Sequence, residues 1–256
     1  MAALFEKALL GAKWLTYNVL CRGDYRNYVG LRAAAVRYVA RRGWYERRHV
    51  QFLRSRVRSG DTVVDVGANL GAYSITLADA VGESGKVLAF EPMAEVFEWL
   101  LRNTAHLPQV SCYGIALSDR SAAAMDMTVP LLFGSIPEPS LAGLSVGASR
   151  CDKRQVRVAM LDDYLDRLSG LSFIKVDVEG HELAFLQGAR RTLAEFRPLV
   201  QFESNDIQRQ YGSFQEFAEP LGFSVCGLTD TDGLRRLDGL STPSGYNFYL
   251  APTEGA

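Results

Sequence analysis

The chain is predicted to be an α/β protein, with a seven-stranded, mostly parallel sheet, helices on both faces and a helical segment ahead of it. Three observations predict it. Apolar or β-branched runs at 61–66, 87–91, 110–117, 171–178, 197–203, 223–228 and 245–250 alternate with helical patterns at 71–81, 93–105, 181–195 and 213–221. That alternation produces parallel strands joined by crossover helices. The first strand leads through a glycine-bearing turn, "VVDVGANLG", into a helix. The last two runs, "FSVCGL" and "YNFYLA", are joined by "TDTDGLRRLDGLSTPSG" without a helical pattern, so they close the sheet as an antiparallel pair.

At 256 residues the chain is long enough to bury a full core. Residues 1–58 are expected to form a basic helical segment and 59–256 the α/β domain, with 121–150 as an inserted hairpin or flap rich in Ser, Gly, Pro and Ala. The net charge of −1 conceals an asymmetry, because residues 1–60 carry a balance of +10 and the remainder −11. Leu4, Phe5, Leu9, Trp14, Leu15 and Val19 fall at helical spacing. Their apolar face has three candidate partners: a membrane surface, a second subunit of a homodimer, or the body of its own domain. The last is the expectation, because amphipathic helices of globular proteins usually pack inward. A second helix is expected from Tyr45 to about Arg58, with Val50, Leu53 and Val57 on one stripe. No apolar run reaches the roughly 18 residues of a membrane span, and Glu6, Lys7 and Lys13 make the N-terminus a poor signal peptide. Four scattered cysteines without a C-x-x-C pair point to reduced thiols in the cytoplasm. Peripheral membrane association through residues 1–20 is the alternative location.

The turn "DVGANLG" decides which cofactor to expect. A dinucleotide fold calls for G-x-G-x-x-G, so that bare backbone can approach a pyrophosphate. Here Gly67 and Gly71 are separated by Ala68, Asn69 and Leu70, and no Gly-Lys-Ser/Thr follows. S-adenosylmethionine brings an amino-acid end to such a turn and no phosphate. Asn69 can take left-handed backbone angles at little cost. Asp65 would attract an ammonium group and repel a pyrophosphate. Glu91, at the end of the second strand in "VLAFEP", stands where a carboxylate accepts ribose hydroxyls. The competing reading is that Asp65 and Glu91 only cap helices.

The stretches "TVVDVGANLGAYSITLA", "AFEPMAEVFEWLLRN" and above all "FIKVDVEGHELAFLQGA" resemble the FkbM family of S-adenosylmethionine-dependent methyltransferases, from about Tyr45 to Glu203. The resemblance implies a class I, Rossmann-like methyltransferase fold and O-methylation of a hydroxyl on a sugar, polyketide or other small metabolite. It places Asp65, Gly67, Ala68, Asn69 and Gly71 at the methionine end of the cofactor. Glu91 and the adjoining Pro92 fall at the ribose, and Ser118 and Asp119 of "GIALSD" at the adenine.

Strand alternation in "LSFIKVDVEGHEL" puts Lys175, Asp177 and Glu179 on one face. The two acids fall at the carboxyl edge, where open α/β sheets bind ligands. An aliphatic hydroxyl is a feeble nucleophile, and a carboxylate could take its proton. Asp177 is the first candidate base, followed by Glu179, with His181 and Glu203 in support. Alternatively Asp177, Glu203 and Asn205 could hold Mg²⁺ or another divalent cation through hard oxygen ligands. A structural reading gives Lys175 a buried ion pair with Asp177 or Glu203.

The expected partner is a hydroxyl-bearing small molecule. The basic N-terminal segment suggests a phosphate-bearing one, such as a nucleotide- or lipid-linked sugar. Two other enzyme classes compete with this reading. An NAD-dependent oxidoreductase is disfavoured by the glycine spacing. A nucleic-acid methyltransferase draws some support from the arginine-rich N-terminus, but the N/D-P-P-Y/F motif of amino-methylating enzymes is absent. A non-catalytic binding module is disfavoured by the intact carboxylate set.

Overall fold

Every residue of "TVVDV" is buried, so this run becomes the central strand, β1 (Thr62–Val66), covered on both faces as parallel strands require. The computed structural model describes residues 29–33, 35, 46–132, 136–137, 142–144, 151–204, 207–238 and 247–253. After a helical stretch at 29–33 come α1 (Arg47–Arg56), β1, α2 (Ala72–Val81), β2 (Lys86–Phe90), α3 (Ala94–Thr104) and β3 (Val110–Tyr113). Next are β4 (Ala116–Leu117), β5 (Ala122–Leu132), β6 (Ile136–Pro137), β7 (Cys151–Ala159) and β8 (Leu171–Val176). The chain continues with α4 (Glu182–Gln187), α5 (Arg190–Phe196), β9 (Leu199–Glu203), α6 (Ile207–Ala218), β10 (Phe223–Leu228), β11 (Leu234–Arg236) and β12 (Asn247–Pro252).

The main sheet runs β11-β10-β12-β9-β8-β1-β2-β3. The strands from β9 to β3 are parallel, and β10, β11 and β12 pair antiparallel at the other end. The seven expected runs therefore form the sheet as predicted, mostly parallel with an antiparallel end. An eighth strand, β11, comes from the connection between the last two. Three largely exposed residues give no periodicity to read. β11 is held by a backbone ladder to β10 and a tight turn, in which Thr229 N–H donates to Gly233 O at 2.8 Å.

The period of two along the strands sorts the core. Val64, Val66, Leu88, Phe90, Ile174 and Val176 pack against Phe185 of α4, Leu193 of α5 and Phe214 of α6. Val63, Val87 and Phe173 point the other way, against Leu53 of α1 and Leu77 and Val81 of α2. Three expected elements have different bounds. The 110–117 run divides, with β3 pairing with β2 and β4 turning away to pair with β7. The 181–195 helix breaks at Gly188, which passes so close to the loop after β4 that a Cβ there would lie 1.8 Å from Ser118 O. Helix α6 starts at Ile207, well before the expected 213, because Gly212 and a polar first turn hide its start.

Between β4 and β8, β5 and β7 form an antiparallel hairpin whose second arm continues to Ala159, past residue 150. Its Met127, Val129, Val156 and Val158 pack with Leu70, Met93 and Val96, and with Val29 and Ala33 of the N-terminal stretch. The hairpin is thus fastened beside the glycine turn. The expected amphipathic helix at 1–20 lies outside the described residues. Among the described residues no helix is long and apolar enough to cross a membrane.

Candidate methyl-donor site

The turn after β1 is built from backbone. Gly67 and Ala68 both donate N–H to Phe90 O, at 3.0 and 2.9 Å. Gly67 has φ +75° and Asn69 φ +49°, so asparagine takes the left-handed position that the sequence assigns it. Asn69 N–H donates to Glu91 Oε2 at 3.0 Å, and Met93 N–H to Oε1 at 2.9 Å. Glu91 therefore clips the turn to the start of α3, which is part of the helix-capping reading, with lone pairs on both oxygens left over. Burial pushes its carboxyl up to about 7, against the pull of those two N–H groups.

Asp65 lies one layer back. It is 1% exposed and accepts from Ser74 Oγ at 2.6 Å. Burial raises its carboxyl to about 6, with Ser74 and Lys175 opposing.

The second wall comes from the loop after β8. Asp177 N–H donates to Val66 O at 2.9 Å, extending the strand pairing by one residue. Glu179 at φ +43° and Gly180 at φ +80° turn the chain sharply into α4. A left-handed non-glycine residue costs on the order of 1–3 kcal/mol and tends to occur at functional sites. Burial, then the charges of Asp177 and Glu203, push Glu179 up to about 7. Burial, then Asp177, does the same for Glu203. His181 shares a 2.7 Å hydrogen bond with Ser118 Oγ, and burial lowers its pKa, keeping the imidazole neutral near pH 7.

These walls line a cleft at the carboxyl edge of the sheet. Of the expected site residues, Gly67, Asn69, Glu91, Pro92, Asp177, Glu179 and His181 line it. Ala68 and Gly71 shape the turn from behind, Gly71 at φ +92°. Ser118 is buried and reaches the cleft only through His181, while Asp119 is exposed beside Arg120 at 3.5 Å. Lys175 is 1% exposed, with Nζ 3.9 Å from Asp177 Oδ2, a long ion pair.

Sequence reasoning missed Met127, Gly143 and Leu144, which close the cleft from the hairpin side. The alternation in "MDMTV" was a signal for a strand, but nothing in it pointed toward the turn. Of the expected metal set, Asp177 and Glu203 are described. Asn205 lies outside the described residues, and among those described no group of three or more His, Cys, Asp or Glu is arranged to hold a metal ion.

Residues 65–226, more than half of the chain, match the family described as the Methyltransferase FkbM domain. The chain belongs to the FkbM methyltransferase family. For this FkbM domain the family implies a methyl-donor cofactor, S-adenosylmethionine. Its cleft fits that cofactor: among the described residues the lining carries Glu91, Asp177, Glu179 and a neutral His181, but no Lys or Arg. A sulfonium and an ammonium are welcome there, whereas a pyrophosphate would face carboxylates without a counter-charge.

Curated relatives match only in part. A protein of Thermoplasma acidophilum named as a cobalt-precorrin-6B C(15)-methyltransferase (decarboxylating) is 31% identical over 64 residues, 25% of this chain and 32% of that one. The AMB antimetabolite synthetase AmbE of Pseudomonas aeruginosa is 43% identical over 58 residues, 22% of this chain and 3% of that one. The FkbM domain thus spans about a third of the first and a small fraction of the second.

Solved structures of similar fold include two of interest. An FkbM methyltransferase of Methylobacillus flagellatus has 18% identity and a TM-score of 0.47, with 75% of this chain and 44% of that chain covered. Aeropyrum pernix fibrillarin with S-adenosylmethionine bound has 13% identity and a TM-score of 0.44, with 77% and 68% covered.

Proposed function

We propose that this FkbM domain O-methylates a hydroxyl of a small molecule, a sugar or a polyketide-like metabolite, with the Asp177–Glu179 carboxylate pair as the base. The observation that carries the reading is that both acids line the same cleft as Gly67, Asn69 and Glu91. S-adenosylmethionine, when bound, supplies the electrophilic methyl group. Glu91 offers its free lone pairs to a ribose diol, and Asn69 holds the turn open. With Glu179 pushed up to about 7 by burial and by Asp177, its carboxyl is about half ionised near neutral pH. A base with its pKa close to the working pH is the best placed to accept a hydroxyl proton. His181, neutral and fixed by Ser118, stands on the same wall as the pair.

The first test is calorimetric titration with S-adenosylmethionine and with NAD, for wild type and for Glu91→Ala. Binding of the methyl donor at about micromolar Kd, lost in the variant, supports the reading. No binding by the wild type sinks it. Acceptor hydroxyls are then screened and the methylated atom located by NMR, where a C- or N-methyl product would overturn the O-methylation.

The pH profile gives a second prediction. Turnover should rise through about pH 7 as Glu179 loses its proton. Lys175 lowers the pKa of both Glu179 and Glu203 by its charge. Lys175→Met should therefore move that rising limb to higher pH, and an unmoved limb would remove Glu179 from the base pair.

A further inference from the structure

Three strands bring polar groups to one edge beside the cleft. Asp177 follows β8, Glu203 ends β9, and Asn247 begins β12 in register with Glu203. One layer below, Gln201 is in register with Lys175 on one side and Tyr249 on the other. Glu46, in the turn that opens α1, reaches across to this edge. Its Oε2 accepts from Tyr73 OH and, at 3.2 Å, from Asn247 Nδ2. Gln201 Nε2 donates to Tyr73 OH at 2.9 Å and to Asn247 Oδ1 at 2.8 Å.

One atom of this network is unanswered. Gln201 is completely buried, and its Oε1 has no hydrogen-bond partner among the described residues. A buried acceptor left unbonded costs on the order of 1–3 kcal/mol, so the amide oxygen calls for a donor from outside the protein. The charges point the same way. Asp177, Glu179, Glu203 and Glu46 surround the edge. Their one opposing charge among these groups is the ammonium of Lys175, which lies beneath them, 1% exposed and 5.1 Å from the centre of the Tyr73 ring. Acceptor atoms and negative charge are both in excess, at a place continuous with the proposed base.

We infer that this edge is the docking subsite for the acceptor molecule, and that it takes a hydroxyl compound bearing a protonated amine close to that hydroxyl, an amino sugar or amino alcohol. The inference rests on the proposed function, since Asp177 and Glu179 would receive the hydroxyl while Glu203 and Glu46 hold the ammonium above the buried Gln201 amide oxygen. An amine kept as ammonium has no lone pair to attack a methyl group. The same carboxylates that bind it thus direct methylation to the oxygen. The subsite also disfavours the phosphate-bearing acceptor that the basic N-terminal segment suggests.

The test is direct binding of glucosamine, glucose and glucose 6-phosphate to the full chain, followed by NMR line broadening, alongside an S-adenosylmethionine titration of the wild type. Glucosamine is expected to bind about tenfold or more tightly than glucose, as expected for a charge-assisted contact in a partly buried site, with glucose 6-phosphate weakest. Glu203→Gln, which keeps the shape, should erase the preference for the amine. Glu203→Asp, which keeps the charge, should retain it and guards against a folding artefact. Equal binding of the three sugars, no binding of glucosamine, or an undiminished preference in Glu203→Gln would overturn the subsite. Failure of the wild type to bind S-adenosylmethionine would instead overturn the proposed function beneath it.

Discussion

Gly67→Ala is expected to abolish methyl-donor binding and to destabilise the chain by about 3–5 kcal/mol, among the largest effects a single substitution gives. Two separate costs combine. The residue has φ +75°, where an L side chain is strained by roughly 1–2 kcal/mol. Worse, an added Cβ would stand 1.8 Å from Asp177 O and 2.9 Å from its carbonyl carbon. That neighbour is backbone and cannot rotate aside. It is also anchored, because Asp177 N–H donates to Val66 O, so making room means parting β1 from β8 where both walls of the cleft begin. Gly180→Ala is the control. Gly180 has a similar φ of +80°, yet nothing lies within 4 Å of its Cβ position. It should lose only the strain, ~1–2 kcal/mol. Denaturant midpoints measure both, and equal losses would mean that the crowding at Gly67 is relieved by some cheap movement.

The contrast between these two glycines shows what could be read from the sequence. Strand and helix order, the antiparallel closure and the left-handed Asn69 follow from periodicity and from the backbone preferences of single residues, all of them local. The closeness of Gly67 to Asp177 is not local, since it joins residues 110 positions apart. It comes from β1 and β8 lying side by side, which only the sheet order reveals. The site divides in the same way. Residues on the three strand-ending loops, Gly67, Asn69, Glu91, Asp177 and Glu179, could be located because parallel strands end at a common edge. Met127 and Leu144 reach the cleft on a hairpin whose docking depends on apolar contacts with Leu70 and Met93, and its sequence carries no sign of where it docks. Asp65 was legible as a strand-ending acid. Its withdrawal from the cleft came from Ser74, one helical turn into α2, which no motif marks.

Glu91 should make both stability and cofactor binding depend on pH, in opposite directions. Its carboxyl is raised from 4.5 to about 7 and that of Asp65 from 3.8 to about 6, each chiefly by burial. Between those limits the folded chain keeps protons that the unfolded chain has released. The stability contributed by each group is therefore fully present below its unfolded pKa and is lost as pH rises through the folded one. Each shift corresponds to about 3 kcal/mol, so the melting temperature of the donor-free protein should fall from about pH 4 to pH 7 and then level off. Binding runs the other way. A cationic ligand whose ribose hydroxyls donate to Glu91 needs the ionised carboxylate, so affinity should climb as pH passes through about 7, by at most roughly tenfold per unit. In Glu91→Gln the titration disappears. The amide also turns an N–H₂ toward either Asn69 N–H or Met93 N–H, which both now donate to the carboxylate. Donor affinity should drop by about a hundredfold, the equivalent of one or two charge-assisted hydrogen bonds, and become flat with pH. Melting scans and calorimetry at pH 6 and pH 8, on wild type and Glu91→Gln, separate the two effects. Wild-type affinity that is the same at both values, or a glutamine variant that binds as tightly, would show that Glu91 only fastens the turn and does not hold the cofactor.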